Sequence, residues 1–263
     1  MRGGPDLTTG SCSNRSILVS GAGGMLGSAL RSLGAVGLPR ERLDVTRPQD
    51  WESALAHTRP DAVIHCAALT QVDACAVDPR AWSLNVESAA WIAARVETWL
   101  VSTNYVFDGP GPHAPQDPRE PAMAYGVQKA AAEDAVLAAG GHVVRTGWLY
   151  GPGGRNFPSR LPELLLRGPV QALEGWPVQP TWAPDLAEHL LTLPKGVSHA
   201  IGAEQTTWAD FARAVCPRLG VPVSRVVGVD AIRGMGPRPA DARLSGQLLP
   251  GFSRRLDDWV LGE

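Results

Sequence analysis

The sequence predicts a doubly wound α/β fold, a parallel sheet with helices on both faces. Three observations predict it. Short β-branched runs alternate with longer helical segments along the first half of the chain. The run Asp61–Cys66 is almost wholly apolar, as expected of a strand covered on both faces. A glycine-rich turn, GAGGMLG, follows the first such run and opens the first helical one.

Ser16–Ser20 (SILVS) reads as the first strand, closing on Gly21. Met25–Leu33 carries apolar residues at helical spacing, and Gly34 and Gly37 end it. Ala35–Leu38 is a weak second strand, followed by Arg42–Val45, and Pro48–His57 is a helix with acids early in it. After the strand Asp61–Cys66 come a long amphipathic helix, Pro79–Glu97, and the strand Thr98–Thr103. Tyr125–Ala139 is an alanine-rich helix and His142–Arg145 the next strand. Past Gly151 proline and glycine become dense. Helices are expected only at Asp185–Leu193, begun after Pro184, and at Trp208–Leu219, capped by Thr206 or Thr207. The chain thus divides into a loose polar tail (1–14), a dinucleotide-binding domain (15–150) and a smaller lobe (151–263) that partly returns to the sheet.

Composition narrows the function. With 263 residues, 44% hydrophobic and 19% charged, the chain can fill a core and is too apolar for a disordered one. A net charge of −2 gives no basic footprint, so nucleic acid is not the expected partner. No apolar run reaches the roughly 18–20 residues of a membrane helix, and MRGGPDLTTGSCSNRS has no signal-like apolar stretch. A cytoplasmic protein is expected. The four cysteines form no C-x-x-C pair and the six histidines are scattered, so neither a disulfide framework nor a metal site is expected, and Cys66 reads as a buried thiol. Oligomeric state stays open, a homodimer included.

Gly21, Gly24 and Gly27 stand where a chain must turn sharply, let a pyrophosphate approach the backbone and pack a helix tightly on the sheet. The helix N-terminus then offers free N–H groups to phosphate. No acid ends the second strand to hold a ribose 2′-hydroxyl; Arg40 there favours a 2′-phosphate, hence NADPH over NADH, unless it is simply a solvated arginine. Tyr125 and Lys129 sit one turn apart on one helix face. A cation beside a phenol brings its proton-transfer pKa towards neutrality, and the lysine can also hold the nicotinamide ribose. The chain has only two lysines against 22 arginines, which makes Lys129 more informative than usual. The strand ending Ser102-Thr103 would add hydroxyls at the same sheet edge.

With these residues in place, the chain resembles the extended short-chain dehydrogenase/reductases. It is most similar to the dTDP-4-dehydrorhamnose reductase family of sugar-nucleotide reductases. The matching stretches include GAGGMLG, LDVTRPQDW, RPDAVIHCAALTQVDACAVDP, LVSTNYVFDG, YGVQKAAAED and VVRTGWLYGPGGRNF. The resemblance implies Thr103, Tyr125 and Lys129 as catalytic residues. It places Met25 and Leu26 at the cofactor turn, Asp44 and Val45 by the adenine, and Ala67 and Ala68 beside the nicotinamide ribose. Thr70, Val72, Asn104, Tyr105 and Trp148 would face the sugar nucleotide. Asn156 would reach the nucleotide or order its loop. Asn104 stands where the family usually carries aspartate, and Leu69 where an aromatic residue is common; both suggest a modified sugar. The activity implied is reduction of a nucleotide-linked, dTDP-type keto-6-deoxysugar by NADPH, with antibiotic deoxysugar supply suggested by the arginine-rich composition. An epimerase on the same scaffold remains an alternative, as does a non-catalytic subunit similar to the regulatory subunit of methionine adenosyltransferase. Asn104-Tyr105 replaces the Asp-Glu pair of the dehydrating relatives, which argues against elimination.

Overall fold

A computed structural model describes residues 15–261; the expected tail, 1–14, lies outside the described residues. The strands are β1 (Ile17–Ser20), β2 (Val36–Gly37), β3 (Ala62–His65), β4 (Thr98–Thr103), β5 (His142–Thr146), β6 (Leu149–Tyr150), β7 (Val170–Leu173), β8 (Pro177–Val178), β9 (Thr181–Trp182), β10 (Val197–Gly202), β11 (Thr206–Thr207), β12 (Val226–Val229) and β13 (Gln247–Leu249). The α-helices are α1 (Met25–Ser32), α2 (Pro48–Thr58), α3 (Ser88–Ala93), α4 (Ala124–Ala138), α5 (Phe157–Arg167), α6 (Ala183–Leu190), α7 (Trp208–Val215) and α8 (Leu256–Leu261).

The central sheet has seven parallel strands in the order β13-β10-β5-β4-β3-β1-β2. Side chains alternate across each strand, and both faces are covered. Ile17, Val19 and Ile64 pack on one face with Leu26 and Leu30 of α1 and Leu186 and Leu190 of α6. Leu18 and Val63 pack on the other with Trp51 of α2 and Ile92 of α3. Burying one such aliphatic side chain contributes about 1.5–3 kcal/mol, enough to fix which residues face which layer. Strand order reverses between β1 and β3, and the crevice outside the strands' carboxyl ends is where such sheets take ligands.

The sequence and the structure part in several places. The helix expected over Pro79–Glu97 is interrupted by a π-turn, Ser83–Glu87, and α3 ends at Ala93. The wider turn carries Asn85 inward, where its Oδ1 accepts from the Leu69 N–H at 2.7 Å and its Nδ2 donates to Gln128 Oε1 at 2.7 Å. The weak second strand shrinks to Val36–Gly37, and the segment 42–45 after it packs into the core through Leu43 and Val45 without forming a regular element. Helix α5 is not anticipated by a pattern reading that stops at Pro158 and Pro162. Pro158 sits in the first turn, where its missing N–H removes no bond, and Asn156 caps the helix by accepting from the Ser159 N–H at 3.1 Å. Helix α6 likewise starts at Ala183 with Pro184 inside its first turn, and Thr207 caps α7 by accepting from the Asp210 N–H.

Candidate active site

The cofactor turn is shaped by close approach. Gly21 holds φ at +68°, and a Cβ there would stand 2.9 Å from the Ala67 nitrogen. A Cβ on Gly27 would lie 2.2 Å from the Gly21 carbonyl oxygen, so α1 rests directly on the turn. Gly23 meets nothing within 4 Å, and Gly24 opens α1 without a side-chain cap. The Gly24 N–H closes the turn on the Gly21 carbonyl at 2.9 Å, and the first N–H groups of α1 beyond it have no side-chain cap, a backbone cradle that fits a pyrophosphate. Leu26 is buried in the core, so its backbone rather than its side chain faces the turn, whereas Met25 is half-buried with its sulfur 3.5 Å from Ser159 Oγ.

Behind the turn lies a pair of hydroxyls bridged by an imidazole. His65 Nδ1 is 2.8 Å from Ser20 Oγ and its Nε2 is 3.2 Å from Ser88 Oγ. Burial pushes this histidine down to about 3, so it is neutral, and Ser20 in turn accepts from the Ala67 N–H at 3.3 Å. The chain through Ala67 and Ala68, both half-buried, is thereby fixed beside Gly21. At the far end Asp44 accepts from the Thr46 N–H and hydroxyl at 3.0 and 2.7 Å, contacts that hold its carboxyl below the ordinary range. Val45 is buried, and Arg40 is exposed 4.0 Å from Asp44.

Thr103 ends β4 while Tyr125 and Lys129 lie on α4, and all three are buried, at 7%, 8% and 2% exposure. Helix α4 comes this close because residue 126 is glycine: a Cβ would stand 2.1 Å from the Tyr105 carbonyl oxygen. Lys129 Nζ donates to the Val101 carbonyl at 2.8 Å. Burial pushes its ammonium down to about 8, with Glu133 and Cys66 opposing. Burial also drives the Tyr125 phenol well above its usual value, offset in part by the nearby Thr103 hydroxyl. The phenol is therefore raised, not lowered as the neighbouring cation led the sequence reading to expect, because desolvation dominates and the lowering comes from Thr103.

Tyr105 meets Tyr125 edge-on at 6.4 Å between ring centroids, and both pack with Val72 and Leu69. Beside them a cavity of about 450 Å³ is lined by Val72, Asp73, Met123, Ala124, Gly236 and Arg238. Thr70 is exposed on the loop leading to this cavity. Asn104 sits against Gly147 and donates to the Ala242 carbonyl at 2.9 Å. Trp148, at φ +41°, is half-buried among Phe157, Trp208 and Phe211 in a separate aromatic cluster. Asn156 caps α5 and donates to the Leu149 carbonyl at 2.6 Å, so both its polar atoms are engaged locally.

Two residues at this mouth escaped sequence reasoning. Arg238 grips Asp73 through Nη1 at 2.7 Å and Nη2 at 2.9 Å, and Asp73 also accepts from the Gly236 N–H at 3.2 Å. The partners are 165 positions apart, and no local spacing could have announced them. Among the described residues, no group of three or more His, Cys, Asp or Glu is placed to hold a metal, and no helix is long and apolar enough to cross a membrane.

A glycine cradle at the switch point and a buried threonine, tyrosine and lysine at the end of β4 and start of α4 define an extended short-chain dehydrogenase/reductase. More narrowly, the chain belongs to the family described as RmlD substrate binding domain, whose model matches residues 15–259. It is 36% identical over 236 residues to a dTDP-4-dehydrorhamnose reductase of Streptomyces griseus, covering 80% of this chain and 78% of that one. It is 35% identical over 258 residues to a dTDP-4-keto-6-deoxy-D-glucose reductase of Streptomyces niveus, covering 90% and 86%. In fold it is similar, with a TM-score of 0.87 and 24% identity over 95% of this chain and 99% of the other, to a Bacillus anthracis dTDP-4-dehydrorhamnose reductase solved in complex with NADP.

Proposed function

We propose that this protein is an NADPH-dependent reductase of a dTDP-linked keto-6-deoxysugar, NADH being the lesser alternative, acting in deoxysugar biosynthesis of the rhamnose or antibiotic type. The observation that carries the reading is the convergence of Thr103, Tyr125 and Lys129, all buried, at the sheet edge occupied by the glycine turn. The family relatives named above supply the substrate class.

When bound, the dinucleotide supplies a hydride to the sugar's carbonyl carbon. Gly21, Gly24, Met25, Leu26 and Gly27 would hold its pyrophosphate, Asp44 and Val45 its adenine, and Ala67, Ala68 and Lys129 its nicotinamide ribose. Arg40 would meet the 2′-phosphate. The Thr103 hydroxyl, which donates to Asn104 Oδ1 at 3.3 Å in this structure, would turn its hydrogen to the substrate to polarise the carbonyl as charge develops. Tyr125 gives its phenolic proton to the alkoxide oxygen, and a phenol held protonated by burial is in the state a donor needs. Lys129, as an ammonium, stabilises the phenolate left behind. Thr70, Val72, Asn104 and Tyr105 are the proposed substrate-side residues, and Val72 and Tyr105 pack directly with Tyr125; Trp148 would reach the substrate only from its separate aromatic cluster, and Asn156 only by giving up its cap on α5. We place the enzyme in the cytoplasm.

The test is a thermal melt with NADPH or NADH, alone and with dTDP or UDP, since a ligand of the native state raises Tm by mass action. A shift with NADPH that grows with dTDP is expected, followed by loss of reduced-nicotinamide absorbance on adding a dTDP-4-keto-6-deoxysugar. Well-folded protein that responds to neither dinucleotide would sink the reading.

A further inference from the structure

One turn beyond Lys129 on α4, Glu133 is completely buried. Both of its oxygens are fully engaged. Oε1 accepts from the Ser102 hydroxyl and from Arg145 Nε at 3.0 Å. Oε2 accepts from Arg145 Nη2 at 2.7 Å and Arg119 Nη1 at 3.1 Å. Arg145 is itself 3% exposed, and its Nη1 reaches the Pro115 carbonyl at 3.0 Å and His199 Nε2 at 3.2 Å. Burial pushes His199 down to about 4, so it is neutral, with its Nδ1 on the Ser245 carbonyl at 2.9 Å. The cluster holds one carboxylate, two guanidiniums and, a turn away, a buried ammonium. A carboxylate in a site this dry is expensive to keep unless something needs its charge.

We propose that Glu133 is a positioning residue for the reduction: it is the buried counter-charge of Lys129, and through Ser102 it also fixes the strand end that presents Thr103. The groups around Lys129 are Glu133 on its own helix, with Tyr125 one turn back, His65 at the end of β3, Cys66 just beyond it, and the Val101 carbonyl from β4. His65 is neutral, and burial pushes the Cys66 thiol up to about 12, so Glu133 is the anion among them. Arg145 and Arg119 hold the same carboxylate from its other side, and removing it would leave three cations together. The ammonium would then release its proton at lower pH, and the phenolate formed at Tyr125 would lose its partner.

This chain allows a direct measurement because it has only two lysines, Lys129 and Lys195. Protein labelled at the lysine Cε carbon gives two NMR signals, assigned with Lys195→Arg, and the pH titration of one reports Lys129. In Glu133→Gln the midpoint is expected to fall by about one pH unit or more, while Glu133→Asp, which keeps the charge, stays near the wild type. Arg119→Met, which removes a half-exposed cation, is expected to move it the other way, and it carries the test should Glu133→Gln not fold. The alkaline limb of kcat/KM should follow the same order. An unchanged midpoint in folded Glu133→Gln, an equal fall in Glu133→Asp, or no rise in Arg119→Met would overturn the proposal. The inference rests on Lys129 serving the proposed reaction, but the titration is read without substrate. Shifted midpoints in a protein that reduces no sugar nucleotide would therefore sink the function and leave the counter-charge standing.

Discussion

Asn104 joins Ala242 across 138 positions of sequence: its Nδ2 donates to the Ala242 carbonyl at 2.9 Å. The same side chain accepts from the Thr103 hydroxyl at 3.3 Å through Oδ1. One amide therefore connects the proposed carbonyl-polarising threonine to the segment that carries Arg238 to the cavity mouth. An ionised aspartate, the usual residue of the family here, has no hydrogen to offer Ala242.

Asn104→Asp should therefore set a carboxylate against a carbonyl oxygen, costing about 1–3 kcal/mol. The new carboxyl would have a raised folded pKa, so the deficit is present above that pKa and disappears as pH falls below the unfolded value. The check is the Tm difference from the wild type across the acid range, with KM alongside. A deficit that does not shrink towards low pH would mean the contact contributes nothing.

Tyr125→Phe should lose turnover by about 100-fold or more, the range for removing a positioned proton donor. The Tm shift given by NADPH should survive, because the phenol is assigned to the substrate. Near-full turnover would end the mechanism.

Lys129→Met should stabilise the fold while destroying activity. The lysine titrates at about 8 in the folded chain against 10.5 for the free group, so between these values the unfolded chain binds more protons. Stability contributed by this residue accordingly rises with pH through that window, and below about 8 its buried charge is a penalty. Methionine removes that penalty, a gain of about 1–3 kcal/mol. A Tm increase at neutral pH that fades by pH 10.5 is the expected signature, and a lowered Tm would refute it.

What was legible in the sequence is what local chemistry writes. The strand Thr98–Thr103 and the helix around Tyr125 could be read because their patterns are continuous and Gly140-Gly141 closes the helix immediately after its last turn. The π-turn at Ser83–Glu87 could not, since its cause is Asn85 satisfying Leu69 and Gln128, residues distant in sequence. The Asp73–Arg238 pair and the Glu133–Arg145 cluster were invisible for the same reason. Asn156 was readable as either a nucleotide contact or a loop residue, and only the position of α5 reveals the cap.

Gly126→Ala should separate the two halves of the site. The added carbon would stand 2.1 Å from the Tyr105 carbonyl, and backbone cannot yield as a side-chain tip does. Overpacking of this kind costs about 1–3 kcal/mol and would shift α4, moving Tyr125 and Lys129 away from Thr103. Gly168→Ala, which meets nothing within 4 Å, is the control. Turnover should collapse in the first and hold in the second, and equal behaviour would show that α4 accommodates the methyl.

The adenosine end offers a test of cofactor choice. Strand β2 ends at Gly37, and Leu38-Pro39-Arg40 follows, with no carboxylate to accept a ribose 2′-hydroxyl. The stem of Arg31 crosses the place where a Gly37 side chain would begin, its Cδ 2.6 Å from that point, and passes beside Ala22 of the glycine turn. It lines an open cavity of about 510 Å³ with Ser28, Ser32, Ala35 and Gly37. Arg31 and Arg40 thus flank the end of β2 with positive charge, while Asp44 is held by Thr46. A charged hydrogen bond contributes about 1.5–3 kcal/mol, so alanine at either arginine should cut kcat/KM for NADPH by about 10- to 100-fold. The value for NADH should hardly move, because NADH lacks the phosphate. If both cofactors weaken together, the arginines act only as general attraction for a dinucleotide, and the 2′-phosphate is recognised elsewhere in the fold.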